Sequence, residues 1–207
     1  MRAVLLCFVL AAACEKGPAG GGATGSGSQR EDEYAREQAR YDADRRPEKV
    51  VEALGLKPGS RVADIGAGSG LLTVHLARAV APNGKVIATD VDGAVLGLLE
   101  QRLKAANLAG VVEPRVVAAD TPGLEPATYD AILLAEVDHF FTDAPAWLKA
   151  AGTALKPGGR LVMSNRIYHR QQGMANAKKA GLVLQSESTP VPTHFIAVFT
   201  VPEAKQK

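Results

Sequence analysis

From residue 61 onward the chain alternates between two kinds of pattern. Short, nearly continuous apolar runs appear as RVADI (61–65), KVIATD (85–90), PRVVAAD (114–120), YDAILLAEV (129–137) and RLVMSN (160–165). Between them lie longer stretches whose apolar residues recur at helical spacing: LLTVHLARAV (71–80), GAVLGLLEQRLKAANL (93–108) and APAWLKAAGTAL (144–155). Runs apolar on both faces predict strands covered on both sides, and helices between them predict crossovers, so the expected core is a parallel sheet between helices. PNG (82–84) and KPGG (156–159) read as turns. A last helix over 171–180 leads to GLVLQSEST (181–189) and THFIAVFTV (193–201), joined by a link too short for a helical crossover, so these two strands pair antiparallel. The pattern shows no internal repeat.

Upstream, PEKVVEALGL starts at Pro47, where proline suits a first helical turn, and carries an apolar stripe of Val50, Val51 and Leu54 before a stop at Gly55. The stretch 29–46, QREDEYAREQARYDADRR, is a charged helix whose Tyr34 and Tyr41 share one face. It is either a solvated helix anchored by two tyrosines or a lid over a ligand site. Residues 15–28, which include GPAGGGATGSGS, lack apolar periodicity and read as a flexible Gly/Ser-rich tether. Residues 1–14 place Arg2 before an apolar run over 3–13 that is too short to span a bilayer and suits a signal-peptide core. LAAAC resembles a bacterial lipoprotein lipobox with Cys14 as the lipidated residue, although Ala11 stands where that motif prefers Leu and Leu10 lies one position further back.

The expected organisation is therefore a signal peptide (1–14), a tether (15–28), a charged helix (29–46), a domain over 47–201 and a polar tail (202–207). It implies a membrane-anchored lipoprotein facing the periplasm or cell exterior. The alternative is a mis-assigned start and a cytoplasmic protein; against it, the next methionine is Met163, deep inside the domain.

The 207 residues fit one domain with extras, and a net charge of +2 gives no argument for a nucleic-acid partner. Both cysteines, Cys7 and Cys14, precede the domain, which excludes a disulfide framework, a Cys-based zinc site and a thiol nucleophile there; no metal site is expected.

VADIGAGSG (62–70) is a glycine-rich loop between a strand and a helix, with Asp64 two residues before the first glycine. A P-loop requires a Lys that is absent. A dinucleotide loop places its third glycine at the sixth position, where Leu71 stands, and Asp64 would repel a pyrophosphate. S-adenosylmethionine has no phosphate, carries a sulfonium and an ammonium that suit an acid, and has a carboxylate that suits a helix N-terminus. Asp90 ends the second strand, where a carboxylate accepts ribose hydroxyls, and Asp120 ends the third, where it accepts from an adenine amino group. The alternative is that each Asp is a turn former or helix cap.

Together these segments resemble the class I S-adenosylmethionine-dependent methyltransferases from about residue 47 to 201. VADIGAGSG looks like their first motif, VIATDVD like the second with Asp90 on the ribose and Val91 against the adenine, VVAAD like the adenine motif, and LKPGGRLVMSN like the entry to the fifth strand. The resemblance implies a three-layer α/β Rossmann-like fold: a seven-stranded, mostly parallel sheet in order 3-2-1-4-5-7-6, strand 7 antiparallel, with helices on both faces. It implies a cofactor site of Asp64, Gly66, Gly68, Gly70, Asp90, Val91, Asp120 and Glu136.

Acceptor chemistry is expected after the fourth strand, at LLAEVDHFF, where His139 and Asp138 are the catalytic candidates. Alternatively His139 packs over the cofactor edge and Phe140 and Phe141 belong to the core. His75, in the helix after the loop, reads as a packing residue. Arg166, His169, Arg170, Lys178 and Lys179 form either a basic rim or a solvated face. The reading that follows is methyl transfer to an unidentified acceptor, most simply a small molecule. A module that binds S-adenosylmethionine or its demethylated product without transfer is the alternative.

Overall fold

The computed structural model describes residues 25–202; the leader, Cys14 and most of the tether lie outside them. Seven strands form one sheet in the order β3-β2-β1-β4-β5-β7-β6. The strands are β1 (Arg61–Ile65), β2 (Lys85–Asp90), β3 (Val112–Val116), β4 (Tyr129–Ala135), β5 (Leu155–Arg166), β6 (Val183–Val191) and β7 (His194–Thr200). β1 pairs in parallel with β2 and β4, β2 with β3, and β4 with β5, whereas β7 runs antiparallel to both β5 and β6.

Six helices accompany the sheet: α1 (Gly25–Arg45), α2 (Pro47–Leu54), α3 (Thr73–Val80), α4 (Gly93–Ala105), α5 (Ala144–Ala154) and α6 (Arg170–Lys179). Period-two alternation along each strand divides the core. Val62, Val86, Ala131, Leu133 and Val162 face one way, against Val50 and Leu54 of α2, Leu76 of α3 and Leu99 of α4. Their neighbours Ala63, Ile87, Ile132, Leu134 and Met163 face the other way, against Trp147 and Leu148 of α5 and Ala177 of α6. Among the described residues no helix is long and apolar enough to cross a membrane.

Several boundaries differ from expectation, three of them for clear local reasons. β3 covers 112–116 rather than 114–120, because its neighbour β2 ends at Asp90, paired with Val116; after a last bond from Val117 N–H to Asp90 O at 3.0 Å, residues 118–120 have no strand to extend along. Pro114 is tolerated there because β3 is an edge strand. α4 stops at Ala105 rather than 108, just before Asn107 at φ 57, a left-handed residue no helix continues through. The expected KPGG turn is absorbed into β5, whose pairing with β4 jumps from Tyr129–Leu155 to Ala131–Arg160, so the extra residues bulge out.

α1 begins at Gly25, inside the stretch read as a tether, and packs on the domain rather than standing free. Arg102 of α4, only 4% exposed, holds it. Its Nε donates to Ser69 O at 2.9 Å, Nη1 donates to Tyr34 O at 3.3 Å, and Nη2 pairs with Glu37. The same guanidinium lies 5.0 Å from the centroid of the Tyr34 ring, whose hydroxyl donates to Gln101 at 2.8 Å. Further along, His75 of α3 meets Asp42 at 2.7 Å, and Gln38 Nε2 donates to Leu71 O at 2.9 Å. His75 is thus a tie between α3 and α1, beyond the packing role expected of it.

Arg102→Met keeps the volume and deletes every polar contact to α1. Amide hydrogen exchange in α1 should accelerate at least tenfold, consistent with about 1.5–3 kcal/mol for charged hydrogen bonds. Amides of β1 and β4 should keep their protection; equal loss there would make Arg102 a core residue rather than the anchor of α1.

Candidate active site

The chain turns sharply as it leaves β1. Gly66 has φ 67, and a Cβ there would lie 2.8 Å from Val137 Cγ2, so both conformation and space require glycine. Ala67 N–H donates to Thr89 O at 2.9 Å, which stitches the loop to the end of β2. Gly68 N–H donates to Asp90 Oδ2 at 2.9 Å, and Asp92 N–H donates to Asp90 Oδ1 at 3.0 Å. These bonds hold the Asp90 carboxylate in one orientation and leave it further acceptor capacity. Gly70, at φ 85, presses on Leu99 of α4 and seats the loop against that helix.

Beside Asp90 a cavity of about 430 Å³ opens at the carboxyl ends of β1, β2 and β4. Its wall includes Gly66, Asp90, Val91, Glu136, Val137 and Phe140, with Val117, Ala118 and Ala119 across from the loop and Phe141 and Trp147 at the back. The last two rings stack with centroids 4.1 Å apart. Two polar atoms of the wall residues, Thr89 Oγ1 and Trp147 Nε1, are buried without a hydrogen-bond partner. The lining is mostly apolar with a few polar groups, in the size range of small-molecule and cofactor sites, and Thr121, Pro122, Phe141 and Trp147 were not singled out as cofactor-side from the sequence.

The predicted site residues divide. Gly66, Asp90, Val91 and Glu136 share the cavity wall, and Gly68 joins them through Asp90. Asp64 does not. It is 2% exposed within β1 and accepts from Thr73 Oγ1 at 2.6 Å, so it sits beneath the loop rather than at its mouth. Burial pushes its carboxyl up from 3.8 to about 6, the Thr73 bond opposing and the Asp90 charge adding. Asp120 does not either. With β3 ending at Val116 it falls in the following loop, exposed, beside Asp143 and Ala146 on the far side of Trp147.

Glu136, at φ 54, is the hub of a charged cluster. It pairs with Arg45 from the last turn of α1, with Arg166 Nε at 3.2 Å, and lies 3.7 Å from His194 Nε2. Burial raises its carboxyl, but the Arg45 and Arg166 guanidiniums outweigh that and hold it below the usual carboxylate range. Burial, opposed by Arg45 and reinforced by Asp64 and Glu136, pushes the Tyr41 phenol of α1 up to about 12. α1 therefore reaches the site with Tyr41 and Arg45. Tyr41 stands out in the sequence as one of two tyrosines on a single face, whereas nothing in the polar pattern distinguishes Arg45 from the solvated charges.

The acceptor-side candidates form a second group. Asp138 is buried, its carboxyl raised by burial against a 2.6 Å bond from Asn165 Nδ2. The orientation of Asn165 is set by Arg166 N–H, which donates to its Oδ1 at 2.7 Å. Asn165 Nδ2 therefore also faces His139 Nδ1, at 3.1 Å. With Nδ1 accepting, neutral His139 carries its proton on Nε2 and is not arranged as a free base at either nitrogen. Burial, then the neighbouring His169, lower the imidazole below its ordinary value. His139 stacks on His169 with centroids 4.1 Å apart, outside the cavity wall, and Phe140 is 73% exposed rather than core. The basic rim is partly neutralised, since Arg170 pairs with Glu187 and Arg166 with Glu136. Among the described residues no group of three His, Cys, Asp or Glu could hold a metal ion.

Loop, strand-end acid and cavity lie on a Rossmann-like sheet, the fold of solved S-adenosylmethionine-dependent methyltransferases. Residues 63–161 match the family described as methyltransferase domain. Over 114 residues the chain is 34% identical to the ubiquinone/menaquinone biosynthesis C-methyltransferase UbiE of Cellvibrio japonicus, and equally to that of Teredinibacter turnerae. The match covers 55% of this chain and 46% of each relative, so the chain spans about half the length of the curated relatives it matches. Among solved structures, a methyltransferase from Aquifex aeolicus superposes with TM-score 0.71 at 21% identity, over 82% of this chain and 97% of that one. Geranyl diphosphate C-methyltransferase from Streptomyces coelicolor, solved with S-adenosylhomocysteine, gives TM-score 0.65 at 15% identity, over 83% and 84%. These two likenesses speak to the fold.

A raised native pKa means that the folded state holds the Asp64 proton more tightly than the unfolded chain. Its contribution to stability is therefore present below pH 3.8 and is lost as pH rises to about 6. Asp64→Asn, which still accepts from Thr73, should abolish that decline. In denaturant titrations it should be about 1–3 kcal/mol more stable relative to wild type at pH 7 than at pH 4. An unchanged difference across that window would mean Asp64 ionises without penalty.

Proposed function

We propose that this chain is an S-adenosylmethionine-dependent methyltransferase acting on a small-molecule acceptor. The observation that carries the proposal is the Asp90 carboxylate, fixed by the glycine loop at the lip of an apolar cavity of about 430 Å³. The cofactor supplies a methyl group activated by a sulfonium, so the protein's task is chiefly alignment. Asp90 would accept the ribose hydroxyls. Val91, Ala118 and the Phe141–Trp147 pair would enclose the adenine, and Trp147 Nε1 is an unused donor there. Gly66 lets the backbone come close without a side chain intervening. Asp64 would act through its field from below the loop, while α1, tied down by Arg102, reaches the wall residue Glu136 through Arg45. The C-methyltransferase names of the quinone-biosynthesis relatives and of the geranyl diphosphate enzyme support a small acceptor, and the near-neutral net charge of +2 gives no support to nucleic acid.

One observation favours a second reading. His139 lies outside the cavity wall with Nδ1 engaged, which suits a domain that binds the cofactor or its demethylated product without transferring a methyl. Conversion of labelled cofactor to S-adenosylhomocysteine with a cell extract as acceptor source separates the two.

Calorimetry should show binding of both S-adenosylmethionine and S-adenosylhomocysteine. Asp90→Ala should weaken each by at least ~1.5 kcal/mol, the scale of lost charge-assisted hydrogen bonds, whereas Asp120→Ala should leave affinity within about twofold. Absence of heat on folded protein removes the cofactor reading.

We place the protein at a membrane through Cys14, a reading that rests on residues 1–28 alone. Fractionation of cells making the native chain should find it with membranes, cleaved before Cys14 and carrying lipid mass, and Cys14→Ser should release it. A soluble, uncleaved native chain would overturn this placement.

A further inference from the structure

Beyond the cofactor cavity, four rings run together across the surface where β4 and β5 end. Phe140 and His139 have centroids 4.1 Å apart at 38°, His139 and His169 are 4.1 Å apart at 12°, and His169 and Tyr168 are 4.3 Å apart at 54°. The two ends of the row are the most exposed, Phe140 at 73% and Tyr168 at 70%, and Ile167 beside them is 42% exposed. Single exposed apolar residues are ordinary, but a contiguous row of rings left in water marks a surface that meets something.

The row is also fixed in place. Asp138 and His139 hang on Asn165, whose amide is oriented by the Arg166 backbone, and His169 is held flat against His139. Phe140 belongs at once to the row and to the cavity wall, so a molecule lying on the rings lies next to whatever occupies the cavity. Little else there would bind a polar acceptor. Arg166 and Arg170 are engaged by Glu136 and Glu187, and the Asp138 carboxylate is buried under Asn165. The chemistry offered to an acceptor is thus aromatic faces and edges, with the His139 Nε2–H as a donor within the row.

We propose that the acceptor is a flat aromatic molecule that seats its ring on the Phe140–His139–His169–Tyr168 row, at the mouth of the cofactor cavity. The proposal rests on the methyltransferase reading and specifies its substrate class. An aromatic ring gains from such a surface beyond its apolar area, because the π-faces and edges of the row are electrostatically complementary to another ring. A saturated molecule of the same size gains only the area. A phenolic hydroxyl also loses its proton far more readily than an alcohol, which suits a site whose histidine is not arranged as a free base.

The test uses the full chain saturated with S-adenosylhomocysteine and titrates 2-naphthol against its saturated analogue decahydro-2-naphthol. The naphthol should bind at least about fivefold more tightly. Tyr168→Leu keeps apolar area and removes a ring, and should weaken the naphthol about fivefold to tenfold, the size of one aromatic contact, with S-adenosylhomocysteine affinity unchanged. Tyr168→Phe should bind the naphthol as wild type does. Because Tyr168 is largely exposed, its replacement leaves the fold intact. Equal affinity for the two probes, or naphthol binding indifferent to Tyr168→Leu, overturns the proposal. Loss of binding to phosphatidylglycerol vesicles in Tyr168→Leu, with naphthol unaffected, assigns the row to a lipid surface and overturns it too. Failure of S-adenosylhomocysteine to bind wild type instead removes the underlying methyltransferase reading, and is seen before any naphthol is added.

Discussion

The hydrogen bonds that tie the glycine loop to the end of β2 are what the rest of the site depends on. Ala67 and Gly68 reach across from β1 to Thr89 O and the Asp90 carboxylate, joining two neighbouring strands just past their last shared pair. A parallel sheet brings both strand ends to the same edge, so a loop from one can orient a side chain of the other. Gly66 makes the turn possible, and its missing side chain leaves Val137 of the β4 end free to close the wall. A single backbone conformation thereby positions the acid, the cavity and the start of the acceptor region.

Around that edge the charges are arranged by how much water each retains. Asp64 is sealed under the loop and pushed toward its neutral form, whereas Glu136, with guanidiniums on two sides, is kept ionised. Arg45, Arg166 and His194 come from α1, β5 and β7, so Glu136 gathers elements far apart in the chain. Arg102 performs the same service on the other flank, where its buried guanidinium joins α1, α4 and the loop. α1 is polar along most of its length and has no large apolar face of its own; Tyr34, Tyr41 and these ion pairs replace one.

The group around His139 follows different physics. Burial and the neighbouring His169 lower the His139 imidazole, Arg166 and Arg170 are paired, and the exposed groups include the Phe140 and Tyr168 rings. Asn165 is decisive, since one amide sets Asp138 and His139 together and its own orientation is dictated by the backbone of Arg166. His139 is thereby converted from the free base that its residue type suggests into a fixed member of a stack.

The sequence by itself determined the alternation of strand and helix, because strands buried on both faces must be apolar throughout and the crossovers between them must show helical periodicity. It also determined the glycine loop and the acid that ends β2 at Asp90, since each is written at the end of its own strand. With the family resemblance, these local signals carried the sheet order that the structure shows. The tertiary structure alone decided where each acid points. Asp64 and Asp90 stand on adjacent strands, yet one faces the interior and the other the cavity, and Asp120 falls in the loop after β3, outside the cavity wall. It alone decided that Arg45 of a polar helix pairs with Glu136, that Trp147 lines the cavity and that four rings run together beside it. Those contacts join residues from separate elements, and side-chain direction across such distances depends on packing that no local pattern encodes.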